Sequence, residues 1–175
     1  IRDAAALLEG SLVLDGELLA WKDGGPLPFS RLQKRIGRKR PGRTIRRDVP
    51  VVFMAYDIIE KAGEDLRGLP VEARRYLLEQ TLADTPEPLR LSPLVEEPDW
   101  EGYTERRAES RDRSVEGLML KRVGSPYRAG RRRGDWWKAK VDPFTLDAVM
   151  IYAQSGHGWR ASLYTDLTFA VWEGD

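Results

Sequence analysis

The sequence predicts an α+β chain that changes character near residues 141–144, on three observations. Apolar runs rich in β-branched and aromatic residues, such as "VPVVFMAYDIIE" (49–60), interleave with segments of helical spacing as far as Lys140. After "DPF" (142–144) the helical spacing stops. "TLDAVMIYAQ", "GHGWRASLYT" and "LTFAVWEGD" then read as three β-like runs separated by Gly- or Asp-containing turns. Finally, 175 residues suffice for one domain, or one plus part of another, and three strands make an incomplete barrel or sandwich, so a β-domain starting here is expected to be partial. The predicted division is 1–141 and 142–175.

In order, the first residues read as the end of an Ala/Leu helix stopped by Gly10, "SLVLDGELLAW" (11–21) as a strand and "DGGP" as a turn. Phe29, Leu32 and Ile36 have helical spacing and end at Gly37. The basic stretch around Pro41 and Gly42 reads as a loop or short connection. The strand at 49–60 follows, then an amphipathic helix, "LPVEARRYLLEQTL", with Pro70 near its start. "LRLSPLVE" is a short strand and "PDWEGYTERRAESRD" a polar helix. "EGLMLKR" and "GDWWKAKV" are strands around a Gly/Arg loop. There is no internal repeat.

Composition removes several classes of function. Without cysteine there can be no disulfide or thiolate metal site, and a single histidine, His157, cannot build a multi-histidine zinc site. His157 sits between glycines, a context that suits a sharp reversal rather than catalysis. No apolar run reaches the length of a membrane span. The net charge of +1 conceals a local bias. Residues 31–47 hold nine Lys or Arg and no acid, and "RAGRRR" (128–133) adds four arginines. One basic run is as readily a solvated face; two in an otherwise balanced chain favour a polyanion, with nucleic acid foremost.

Four stretches could carry chemistry. Glu17 in "LDGEL" and Glu116 in "EGLMLK" each stand beside a glycine on a strand suited to burial, where a carboxylate needs a cation, metal or ligand hydroxyl. Taken singly, each reads first as an exposed edge residue or half of a salt bridge. In "WWKAK", Lys138 and Lys140 share one strand face with Trp136, an arrangement that suits a phosphate or a lysine-protected sheet edge. Tyr56, before Asp57, reads as plain core or as a surface on which a base stacks.

The order of these stretches resembles the covalent nucleotidyltransferases, and among them the ATP-dependent DNA ligases. "LDGEL" is similar to motif III of that family, "FMAYDII" to motif IIIa, "EGLMLK" to motif IV and "WWKAK" to motif V, while "TLDAVMIYA" resembles the first strand of their OB domain. The stretch "SPYRAGRRRGDWWKAKVDPFTLDAVMIYAQSGHG" further resembles bacterial repair-associated ligases. The resemblance implies an ATP-grasp-like adenylation domain lacking its N-terminal part, followed by the start of an OB-fold barrel. It assigns Glu116 to the divalent metal (Mg2+ or Mn2+), and Glu17 to the ribose and the organisation of the metal site. Tyr56 would stack on adenine, Lys138 and Lys140 would contact the α-phosphate, and Lys121 would belong to the nucleotide pocket. The apolar residues between Glu116 and Lys121 would anchor their strand in the sheet.

The implied reaction seals nicks in duplex DNA. A lysine takes AMP from ATP, AMP passes to the 5′-phosphate of the nick, and the 3′-hydroxyl displaces it. The family's nucleophile lies in a Lys-x-Asp-Gly-x-Arg motif upstream of motif III, and the chain is read as beginning after it. "WKDGG" lacks the residue between lysine and aspartate and follows motif III. Arg38, Lys39, Arg40, Arg131, Arg132 and Arg133 are expected to hold the DNA backbone. A monomer, cytoplasmic and nucleoid-associated if bacterial, with no membrane partner, completes the expectation. Alternative readings are an RNA ligase, a capping-type guanylyltransferase or a non-catalytic nucleic-acid-binding module.

Overall fold

The computed structural model describes residues 1–130, 132–143 and 145–173. The chain divides into two compact units, Ile1–Val141 and Asp142–Asp175.

The first unit is built on two long antiparallel strands, β1 (Leu12–Lys22) and β3 (Val51–Lys61). The two-residue strands β2 (Gly25–Pro26) and β4 (Glu64–Asp65) flank them, and β5 (Leu89–Leu91) runs parallel to β3. Gly16 is needed where β1 crosses β3, since a Cβ there would lie 2.6 Å from the Met54 carbonyl oxygen. Helix α4 (Val71–Leu82) begins after Pro70 and buries Arg74, Leu78 and Leu82, a stripe spaced by four residues. Its leucines form a core with Ala55, Ile58 and Leu66. Helices α2 (Phe29–Ile36) and α3 (Arg43–Asp48) contribute Leu32 and Ile45 to a second cluster with Ala20 and Val49. A short helix, α1 (Arg2–Ala5), starts the chain, so the expected helix reaching Gly10 stops early. Part of the basic stretch expected as loop is α3, because Ile45 gives it an apolar residue to bury.

Helix α5 (Trp100–Ala108) is capped by Asp99, whose Oδ1 accepts the Gly102 amide at 2.9 Å. It packs near Leu118, Leu120 and Ala139 of a hairpin made by β6 (Gly117–Lys121) and β7 (Trp136–Lys140). This hairpin forms its own two-stranded sheet, so the apolar residues after Glu116 anchor a hairpin and are not part of the β1–β3 sheet.

In the second unit, β8 (Val149–Ser155) and β9 (Tyr164–Ala170) form one antiparallel hairpin. The middle run (156–165), expected as a separate strand, begins with a 3-10 turn (Gly158–Arg160), with His157 in the reversal. Only its end, Tyr164 and Thr165, is strand, as the start of β9. Two glycines in three residues favour a turn over a strand in its first half. Among the described residues, no helix is long and apolar enough to cross a membrane.

Candidate active site

Pairing between β1 and β3 shifts register twice, and at one shift an extra β3 residue, Tyr56, stands between the register pairs Asp15–Asp57 and Gly16–Ala55. A bulge interrupts the alternation of side chains. It leaves Tyr56 and its neighbour Asp57 both within reach of one cation, Lys121. The Lys121 Nζ donates to Asp57 Oδ2 at 3.1 Å and to the Tyr56 carbonyl at 3.4 Å. It lies 4.1 Å from the centre of the Trp136 ring and 5.2 Å from that of Tyr56. Burial pushes the Lys121 amine below its usual range, and the nearby Asp57 carboxylate opposes the shift.

Asp57 is itself buried, and Arg74 makes that tolerable. The fully buried Arg74 guanidinium donates from Nε to Asp57 Oδ1 at 2.7 Å and from Nη2 to Oδ2 at 3.0 Å. Its Nη1 donates to the Leu69 carbonyl, and to that of Ser125 at 3.3 Å. Beside this cluster, Asp15 accepts two phenols: Tyr56 at Oδ1 (3.2 Å) and Tyr127 at Oδ2 (2.7 Å). Both phenols are pushed up to about 12, Tyr56 mainly by burial and Tyr127 mainly by its bond to Asp15.

Cross-strand register aligns Lys121 with Trp136, Met119 with Lys138 and Gly117 with Lys140, so Lys121, Lys138 and Lys140 share one face of the hairpin. Glu116 stands at its mouth, where Lys140 Nζ lies 2.6 Å from Glu116 Oε2. That bond holds the Glu116 carboxyl below its ordinary range. Gly117 makes the hairpin possible: its φ is +139°, and a Cβ there would lie 2.2 Å from the Ala139 carbonyl oxygen.

The structure thus joins Tyr56 to Lys121 and Glu116 to Lys140. Glu17 is exposed on β1, close enough for its charge to help raise the Tyr56 phenol. Both glutamates are exposed, Glu116 as half of a salt bridge, in keeping with the reading of each taken singly; the buried carboxylate of this site is Asp57. Among the described residues, no three His, Cys, Asp or Glu side chains gather as a metal cage. One or two carboxylates without a cage still suit Mg2+ shared with phosphate oxygens.

Arg38, Lys39 and Arg40 are exposed in the turn between α2 and α3, and Arg132 and Arg133 are exposed between β6 and β7. Arg131 lies outside the described residues. Some cations of the same runs have structural partners: Arg35 donates to the Val49 carbonyl at 2.5 Å, Arg46 to that of Pro41 at 2.9 Å, and Arg128 pairs with Asp135 at 3.2 Å.

Sequence reasoning missed Asp15, Arg74 and Tyr127. Arg74 had a legible signal, because an aspartate inside "FMAYDII" must find a cation and Arg74 falls in register with Leu78 and Leu82.

Known proteins resemble this chain along most of its length. The family model described as "ATP dependent DNA ligase domain" matches residues 1–140. A "Probable DNA ligase" of Koribacter versatilis is 33% identical over 194 residues, covering 98% of this chain and 34% of that protein. A "DNA ligase" of Natronomonas pharaonis is 39% identical over 152 residues, covering 86% and 27%. The solved structure of a mycobacterial DNA ligase D complexed with ATP and MES aligns with a TM-score of 0.58 at 31% identity, over 90% of this chain and 45% of that one. The chain therefore spans about a third or less of these two curated relatives. By its family match and these relatives, it belongs to the ATP-dependent DNA ligase domain family.

Proposed function

We propose that this chain is the nucleotide- and phosphate-handling part of an ATP-dependent DNA ligase that seals nicks in duplex DNA. The observation that carries the reading is the hairpin face, where Lys121, Lys138 and Lys140 line up beside two aromatic rings with Glu116 at the edge. A row of cations on a pre-formed face stabilises charge on phosphoryl oxygens without reorganisation at the moment of reaction.

Lys138 and Lys140 meet the α-phosphate. An arriving phosphate would compete with Glu116 for Lys140, and Glu116 and Glu17 are the carboxylates that would hold Mg2+ or Mn2+. The metal supplies Lewis-acid neutralisation of phosphoryl charge. Tyr56 offers its ring to adenine, while Lys121, fixed by Asp57, lines the same pocket. Arg38, Lys39, Arg40 and the arginines at 131–133 hold the DNA backbone. Residues 1–141 form the adenylation-domain part and 142–175 the beginning of an OB-fold. The covalent nucleophile belongs to a Lys-x-Asp-Gly motif, which does not occur among these 175 residues.

Labelled ATP tests the reading. The 175-residue chain, incubated with ATP and a divalent metal and then denatured, carries no adenylate, whereas a chain extended upstream through the Lys-x-Asp-Gly motif retains it. In the extended chain, Lys138→Ala or Lys140→Ala slows adenylation by about a hundredfold while leaving the fold intact. Wild-type rates in both variants would refute the phosphate contact. Comparing ATP with GTP, and DNA nicks with RNA nicks, separates this reading from the RNA-ligase and capping alternatives.

A further inference from the structure

We propose that Tyr127 is a positioning residue of this nucleotide site: its hydroxyl on Asp15 and its ring against Trp136 keep Lys121 aimed. The inference rests on the reading that Lys121 lines the nucleotide pocket. Tyr127 lies six residues beyond Lys121, in an irregular stretch where no strand ladder fixes the chain. Separate bonds fix it instead. The Tyr127 amide donates to the Arg67 carbonyl at 2.9 Å, and its hydroxyl to Asp15 Oδ2 at 2.7 Å. Its ring meets Trp136 edge-on at 5.3 Å, with the Arg74 guanidinium 5.8 Å from its centre.

These contacts form a closed circuit around the cation. Trp136 is the cross-strand partner of Lys121 and walls its Nζ on one side. Tyr56 supplies a second ring. One carboxylate, Asp15, accepts hydrogen bonds from both Tyr56 and Tyr127. The hydroxyl of Tyr127 therefore ties the irregular stretch, and through Trp136 the hairpin, to the strand that carries Glu17. A phenol donating to a carboxylate makes a short, charge-assisted bond that phenylalanine cannot replace. Tyr127 contacts none of the reacting groups proposed above, so its effect falls on binding.

The test uses the upstream-extended chain and follows labelled-adenylate formation against ATP concentration. Tyr127→Phe is expected to raise KM for ATP by about tenfold, with kcat within about twofold and an unchanged melting temperature. Asp15→Asn weakens the same bond from the acceptor's side and shifts KM in the same direction. The double variant is expected to fall well short of the product of the two single effects. Lys121→Ala serves as the control. If it raises KM while Tyr127→Phe leaves KM within about twofold, the positioning role is overturned and the nucleotide reading stands. If Lys121→Ala itself leaves KM unchanged, the underlying reading falls, and this inference with it. Should Tyr127→Phe fail to fold, Asp15→Asn compared with Tyr56→Phe decides: a larger rise in KM for Asp15→Asn supports the role of Tyr127, and an equal one overturns it.

Discussion

Two ion pairs of nearly equal length lie in the same unit of this protein, under opposite conditions. Arg74 meets Asp57 at 2.7 Å with side-chain exposures of 0% and 1%; Lys140 meets Glu116 at 2.6 Å with exposures of 53% and 79%. Distance alone would rank them together, but burial separates them. In the interior, each charge has lost its water and depends on its partner, so removing one leaves the other stranded. At the surface, water replaces either partner at little cost. The buried pair is therefore suited to hold the bulge at Tyr56 and Lys121 in place. The exposed pair is suited to exchange partners, as binding a phosphate and a metal would require.

The largest effect should come from breaking the buried pair. Asp57→Asn strands the Arg74 charge and is expected to cost about 3–5 kcal/mol of stability, read from the midpoint of urea unfolding. Replacing both residues with apolar ones of similar volume should recover much of that loss. A loss from Asp57→Asn no larger than for a surface substitution would erase the contrast between the two pairs.

Next come the exposed cations, which should matter for binding and not for folding. Neutralising Arg38, Lys39 and Arg40 together is expected to leave unfolding unchanged and to weaken DNA binding alike for different nick sequences. The slope of log affinity against log salt should flatten by about 0.9 for each DNA phosphate that is no longer neutralised. An unchanged slope would make this turn merely solvated surface.

The paired phenols test the same contrast by pH. Tyr56 and Tyr127 are raised to about 12, above the ordinary value near 10. Because their folded values are raised, their contribution to stability is complete below pH ~10 and is lost as pH climbs from there through about 12. Alkaline titration followed by phenolate absorbance should show two late steps, with Tyr127→Phe deleting one and Tyr56→Phe the other.

The smallest effect belongs to Glu116→Gln, which should not measurably shift unfolding at neutral pH. Its carboxyl is depressed by Lys140, so whatever the pair contributes is present above the ordinary carboxylate range and fades as pH falls through the lower folded value. A clear destabilisation at neutral pH would show that Lys140 cannot exchange partners freely.

Much of this molecule follows from local pattern. The long strands β1 and β3, the helices α2, α4 and α5 and the hairpin strands are legible because apolar periodicity, Pro70 and the glycines act over a few residues. The shared face of Lys138 and Lys140 is legible for the same reason, since strand geometry fixes a period of two. The middle run of the second unit is less legible, because two glycines turn its first half while its aromatic end joins β9.

Only the tertiary structure decided which carboxylate is buried, and with what. Period-two alternation sends Tyr56 and Asp57 to opposite faces, but the bulge arises from mismatch between two paired strands, and the sequence of β3 alone does not place it at Tyr56. Arg74, Tyr127 and Asp15 likewise meet their partners across 17 to 112 residues of sequence. Composition and spacing determined which charges this chain carries and on which elements. Packing determined which of those charges lost their water, and with it which pairs hold the fold and which remain free to meet a ligand.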